Sequence, residues 1–115
     1  MTKNIFIGFL LYVLGHFLAW YQINSQFAFA WAKQNMILPV LFLAVPMGLC
    51  FLYGTKLIVG DTQALWVSRF VGFGASYFVF PVLTWHHMNE SMFTVKTMSC
   101  ILLSCVILWI QIFWE

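Results

Sequence analysis

Few side chains in this 115-residue chain can carry charge, and His16 and Arg69 are among those that lie within apolar segments. His16 follows Tyr12 and precedes Trp20 by four residues each, so the three lie on one face of a helix. An ionisable group inside a membrane segment is costly and is by default a functional candidate. Because imidazole titrates near neutral pH, His16 is predicted to act as a proton-sensitive group in a binding path, or else to hydrogen-bond, uncharged, to another helix.

Arg69 lies about one turn into a later apolar segment. At 1.5 Å per residue its backbone lies only ~6 Å below the membrane interface, and its long side chain can extend back to the interface from that depth. This favours a structural role. If Arg69 instead faces the protein interior, the cost of ~2.5–3.5 kcal/mol for a charge at mid-membrane demands a partner or an anionic ligand. Trp66 and Phe73 would then flank it on the same side.

His86 and His87 follow Trp85 near the end of the same segment. Imidazole ligates both haem and metal ions, so a haem held by His16 together with His86 or His87 is one hypothesis. No His-x-x-x-His spacing is present, and we predict neither a metal site nor a cofactor. Glu90 is expected to orient the start of the last helix. The sequence has no hydrolase, phosphate-loop or carboxylate-pair motif, so an enzyme is not expected.

These residues are embedded in four apolar segments, at about Asn4–Tyr21, Met36–Tyr53, Leu65–Trp85 and Met92–Trp114. Each has about enough residues to cross a hydrocarbon core of ~30 Å. Apolar residues make up 63% of the chain and charged residues 7%, too few to cover a water-soluble fold. The sequence therefore predicts an all-α membrane protein, a four-transmembrane-helix bundle with short loops that forms one domain over residues 1–115.

The ends of the segments carry helix-capping and turn residues. Asn35, Thr62 and Ser91 are predicted to cap the starts of the second, third and fourth helices. Gly54–Asp61 is predicted to be a turn, and the aromatic segment Gln22–Gln34 is predicted to be a loop that lies flat on the membrane surface.

Charge is sparse and evenly spread. The net charge is +2, without the clustered basic patch that nucleic-acid binding needs, so nucleic acid is not expected as a partner. With four spans, Lys3 and Lys56, with Arg69 if it reaches the interface, face one side, and Lys33 and Lys96 face the other. This near balance gives no clear orientation and permits insertion both ways round.

Small residues recur at helical spacing and indicate which faces pack closely. They are Gly8, Gly15 and Ala19 in the first segment, Ser68, Gly72 and Ser76 in the third, and Thr97, Cys100 and Ser104 in the fourth. Each stripe is interpreted as packing within one bundle, and the stripe on the fourth helix alternatively as a surface that pairs two protomers. Cys50, Cys100 and Cys105 are likewise interpreted as small packing residues.

Residues 72–114 resemble the closing half of proteins in the drug/metabolite transporter superfamily. The match consists of Gly72-Phe73-Gly74-Ala75-Ser76 in a helix, Pro81 near its end, and Asn89–Lys96 leading into a final helix that ends at Trp114. Length and layout are similar to the small multidrug resistance type, in which two inverted copies form the transporter. The resemblance implies a bacterial inner-membrane location and a homodimer, expected to be antiparallel.

One departure limits what the resemblance implies. The small multidrug resistance type uses a glutamate in its first helix, whereas Asn4–Tyr21 contains no acid and His16 is the titratable group nearest that place. We predict a dimeric small-molecule transporter in the lipid bilayer, with a path lined by the first three helices that suits a flat or cationic solute. Its candidate contacts are Tyr12, His16, Trp20, Trp66, Arg69 and Tyr77. The alternative is a non-transporting scaffold or accessory subunit that binds other membrane proteins.

Overall fold

The computed structural model describes residues 3–113, and that part of the chain is helical throughout apart from short links. The five helices are α1 (Lys3–Ala28), α2 (Ala30–Gln34), α3 (Ile37–Thr62), α4 (Leu65–Met88) and α5 (Val95–Phe113). All but α2 are long and apolar enough to cross a membrane, which is compatible with an integral membrane protein. The predicted all-α fold with four long apolar helices is confirmed. The end predicted at Trp114 lies outside the described residues.

Two predicted links are helical. α1 continues to Ala28, so most of the expected surface loop Gln22–Gln34 belongs to α1 or α2. α3 runs through the expected turn Gly54–Asp61. A helix of 26 residues is about 39 Å long, more than the ~30 Å that fixed the predicted ends. Apolar length alone therefore underestimates these two helices.

The predicted helix caps were wrong. α3 and α4 begin without a hydrogen bond from a capping side chain, which excludes Asn35 and Thr62 from that role. Thr62 is the last residue of α3, and its hydroxyl donates to the carbonyl four residues earlier at 2.8 Å. At the start of α5 the amide of Thr97 donates to the hydroxyl of Thr94 at 3.2 Å, three residues beyond Ser91. Short hydroxyl side chains bond to either end of a helix, so their type does not identify a start.

The helices form a slab. α1 packs against both α3 and α4, α3 and α4 also contact each other, and α5 packs against α4. The molecule measures 48 × 36 × 18 Å. The molecule is therefore flat rather than round, and α1, α3 and α4 are in mutual contact.

α1 and α3 approach each other at two glycines. A Cβ atom on Gly8 would lie 2.6 Å from a side-chain carbon of Ile58, and one on Gly54 would lie 2.9 Å from the ring of Tyr12 and 3.1 Å from the Gly8 carbonyl oxygen. Such distances do not occur between real atoms, so only glycine permits this crossing. The close approach fixes Tyr12 at the junction of the two helices.

The predicted small-residue stripe on the last helix divides between two environments. Ser104 is buried and donates to the carbonyl of Cys100 at 2.9 Å. Cys100 and Cys105 are exposed, whereas Cys50 in α3 is buried. On the facing helix, a Cβ atom at Gly74 would lie 3.1 Å from Leu108. Glycine thus also brings α4 and α5 together.

Candidate ligand-binding groove

An open groove of about 760 Å³ lies between α1, α3 and α4. Most of its wall comes from one face of α4, where lining residues recur every three or four positions. The lining residues are Tyr12, His16, Phe51, Thr55, Leu65, Trp66, Ser68, Arg69, Gly72, Phe73 and Ser76. From Leu65 to Ser76 the wall runs about 16 Å along α4 at 1.5 Å per residue.

Four of the six side chains that the sequence proposed as ligand contacts line this groove, namely Tyr12, His16, Trp66 and Arg69. Ser68, Gly72 and Ser76, which the sequence proposed for helix packing, line it as well. Phe51 and Thr55 were not singled out from the sequence. Thr55 lies in the segment taken for a turn, and only its place in the longer α3 brings it to the groove.

Trp20 and Tyr77 lie elsewhere. Trp20 is buried, and its indole nitrogen donates to the hydroxyl of Thr84 at 3.0 Å, which joins α1 to α4. Tyr77 lines a smaller cavity of about 280 Å³ between α4 and α5, and its ring meets that of Phe73 edge-on at 5.3 Å. Trp20 lies one turn beyond the groove residue His16 on α1, and Tyr77 directly follows the groove residue Ser76 but lies on a different face of α4.

Three hydroxyl groups tie the floor of the groove together. The hydroxyl of Tyr12 lies 2.6 Å from that of Thr55 and also contacts that of Ser68, which donates to Thr55 at 3.4 Å. One hydroxyl comes from each of α1, α3 and α4. Because every member has its partners inside this hydroxyl triad, the triad holds the three helices in register and leaves ligand recognition to other groups.

His16 forms a hydrogen bond to another helix. Its Nε2 lies 2.9 Å from the carbonyl oxygen of Gly72 in α4. A carbonyl only accepts, so this ring nitrogen carries the hydrogen and donates it. The ring also meets Phe51 edge-on at 5.0 Å. Its role as a hydrogen-bonded link between helices, one of the two alternatives from the sequence, is therefore present, and the ring forms part of the groove wall.

Arg69 is exposed in the groove and has no acidic partner. Throughout residues 3–113 no carboxylate lies within ion-pair distance of its guanidinium, and no hydrogen bond holds it. Asp61, the nearest acid in the chain, accepts a hydrogen bond from the side chain of Asn4 at 3.1 Å. Trp66 beside Arg69 is 72% exposed and stacks on Phe70 at 5.9 Å. The groove thus presents one unneutralised cation next to an aromatic wall.

The remaining histidines form a separate cluster near the other end of α4. His87 Nε2 lies 2.7 Å from the hydroxyl of Tyr21, and its ring stacks on Trp20 at 5.1 Å and meets His86 edge-on at 4.8 Å. In the described part of the chain, no three histidine, cysteine or acidic side chains come together as metal ligands. The cluster instead packs aromatic rings between α1 and α4.

Comparison with known proteins gave no match to any family model, curated protein or solved structure.

Proposed function

We propose that this chain is an integral membrane protein whose groove between α1, α3 and α4 binds a small amphipathic molecule. The observation that carries the proposal is the unpaired guanidinium of Arg69, which lies in an open cavity walled by aromatic rings. Arg69 lies about 6 Å from the start of α4, within reach of the membrane interface, so its charge is tolerated there. Because no described residue pairs with its guanidinium, its N–H groups are open to a ligand in the groove.

We further propose that two copies, in antiparallel orientation, form a small-molecule transporter of the drug/metabolite transporter type in the bacterial inner membrane. The groove is open on one side, and a second copy would close it. The basic residues support dual insertion. Lys3, Lys56 and Arg69 lie towards one end of the molecule and Lys33 and Lys96 towards the other, which is nearly balanced.

Flux across vesicles tests the proposal. Full-length protein is reconstituted into vesicles, and transbilayer movement is followed for three amphiphiles that share a dodecyl chain and a fluorescent label but carry an anionic, cationic or neutral head. We expect the protein to accelerate at least one of them. Ser76→Trp fills the groove and should abolish the acceleration, whereas Phe80→Trp, one turn further along α4 on an exposed position outside the groove, should retain it. No acceleration for any head, or equal flux in both variants, contradicts transport through the groove.

A scaffold or accessory subunit is the second candidate, and the outer surface of α5 favours it. α5 packs only against α4 within the described chain, and it leaves a row of large apolar side chains exposed. These are Leu102, Leu103, Val106 and Trp109. A scaffold should purify from its native membrane with a stoichiometric heterologous partner and should produce no flux.

A further inference from the structure

The polar groups of the groove have a distinct donor character. His16 uses Nε2 on the Gly72 carbonyl, and the hydroxyl triad bonds within itself. Two lining side chains keep N–H groups that no described residue accepts, the guanidinium of Arg69 and the indole of Trp66. They are three positions apart in α4 and therefore adjacent on its surface. Both are hydrogen-bond donors without acceptor capacity.

The charge of the groove has one sign. Its lining includes Arg69 and no carboxylate, and the acids of the described chain, Asp61 and Glu90, lie outside it. A cationic solute would meet an uncompensated guanidinium. An anion would instead receive charge-assisted hydrogen bonds, and the planar guanidinium matches the oxygens of phosphate or carboxylate in a bidentate manner.

The position of Arg69 along α4 separates a polar end of the groove from an apolar one. Arg69 is four residues, or about 6 Å, from the start of α4, near the depth of lipid headgroups. Deeper along the groove the wall is formed by Phe51, Gly72 and Phe73. The side chains of His16 and Ser76 donate to the backbone carbonyls of Gly72 and Phe73. An apolar chain attached to an anionic head at Arg69 would follow this wall towards the middle of the membrane.

We infer that the groove selects an amphiphile with an anionic head, a phosphate or a carboxylate, which Arg69 holds while an apolar tail packs along Phe51 and Phe73. This inference rests on the proposed function, because it names the chemical class of the ligand of the same groove. It replaces the cationic solute that the aromatic residues alone favoured. The proposed occupant is a lipid-like anion; a free phosphate shares the head chemistry that Arg69 recognises but lacks the tail, and the experiment distinguishes the two.

Lipid retention tests the inference. The protein is incorporated into nanodiscs that contain equal amounts of phosphatidic acid, phosphatidylcholine and a cationic lipid with identical chains. Native mass spectrometry then counts the lipids that stay bound to the protein. We expect phosphatidic acid to be retained about tenfold over the other two, as hydrogen bonds to a charged group imply. Arg69→Gln should remove the preference, and Arg69→Lys should keep part of it.

Lys56→Gln is the matched control. Lys56 lies towards the same end of the molecule, outside the groove, with its Nζ 5.9 Å from the centre of the Tyr53 ring. Lys56→Gln removes the same charge as Arg69→Gln and should leave the preference for phosphatidic acid intact. Displacement of phosphatidic acid by millimolar inorganic phosphate would show that the site recognises the phosphate group alone and would overturn the role of the apolar tail, whereas resistance to displacement would support it.

Two further results overturn the inference: equal retention of all three headgroups, or equal loss of preference in Arg69→Gln and Lys56→Gln. Ser76→Trp separates these results from failure of the proposed function. If all three lipids are retained equally but Ser76→Trp abolishes their retention, the groove binds amphiphiles without distinguishing the charge of the head. If Ser76→Trp leaves retention of every lipid unchanged, the proposed groove site fails as well.

Discussion

Substitution of Gly54 by alanine is the strictest test of the helix packing that shapes the groove. The added Cβ atom would lie 2.9 Å from two ring carbons of Tyr12 and 3.1 Å from the carbonyl oxygen of Gly8. The carbonyl is backbone and cannot rotate away. The Tyr12 ring is 3% exposed and its hydroxyl is bound in the hydroxyl triad, so it has little freedom to move. We therefore expect α1 and α3 to separate.

The magnitude follows from two opposing effects. Overpacking of a well-packed interior costs about 1–3 kcal/mol. Replacement of glycine by alanine inside a helix gains about 0.5–1 kcal/mol through backbone entropy. Gly48 and Gly60 lie on the same helix, and a Cβ atom at either would meet nothing within 4 Å. Gly48→Ala should therefore show the gain alone, and Gly54→Ala should be less stable than Gly48→Ala by about 1–3 kcal/mol.

The measurement is reversible unfolding of purified protein in mixed micelles, as the mole fraction of a denaturing detergent rises, followed by tryptophan fluorescence and circular dichroism. Free energies of unfolding are compared for wild type, Gly54→Ala, Gly48→Ala and Gly60→Ala. If Gly54→Ala proves as stable as Gly48→Ala, the close crossing of α1 and α3 is refuted, together with the placement of Tyr12 that depends on it.

Two further predictions concern the hydroxyl triad and the dimer. Tyr12→Phe should lower the free energy of unfolding by about 1 kcal/mol, which is the scale of interhelical hydrogen bonds in membranes. Tyr77→Phe is the control and should change it little, because the Tyr77 hydroxyl makes no hydrogen bond within the described residues. Equal losses in the two variants would contradict the triad. If two antiparallel copies meet through α5, Cys105, which lies near the middle of that helix, should form a disulfide with Cys105 of the second copy on oxidation in membranes. The crosslinked dimer is detected on a non-reducing gel and should be absent in Cys105→Ser. In that arrangement Cys100 lies about 6 Å from the middle of α5, so the Cys100 residues of the two copies are about 12 Å apart along the helix axis, beyond disulfide range. A dimer linked through Cys100 alone would therefore contradict the antiparallel arrangement.

Much of the fold could be predicted because hydropathy reports directly on long apolar helices. Helix ends were harder to place. Gly54 carries the usual signal of a turn, yet in this protein its missing side chain admits Gly8 of another helix. That role depends on a contact between α1 and α3, which no pattern within α3 alone contains. The same misplacement hid Thr55, the member of the hydroxyl triad that α3 contributes.

The groove was partly predictable for a similar reason. Tyr12, His16, Trp66 and Arg69 were singled out by charge or by aromatic type, and these four line one cavity. Residue type alone could not say how far along a helix the cavity extends. It also could not show that the guanidinium of Arg69 lacks an acidic partner, since pairing depends on which helices are neighbours. That feature of the packing changed the expected ligand from a cation to an anion.

Photocrosslinking of a lipid tests the central claim, that the groove between α1, α3 and α4 is the binding site, most directly. Phosphatidic acid with a photoreactive group in one acyl chain is incorporated into nanodiscs with the full-length protein, and the labelled residues are mapped by mass spectrometry. A phosphatidylcholine with the same chain measures nonspecific labelling of the lipid-facing surface. We expect excess labelling by phosphatidic acid at Phe51, Phe73 and Ser76. Equal labelling by the two lipids, spread over the exposed face of α5, would contradict the claim.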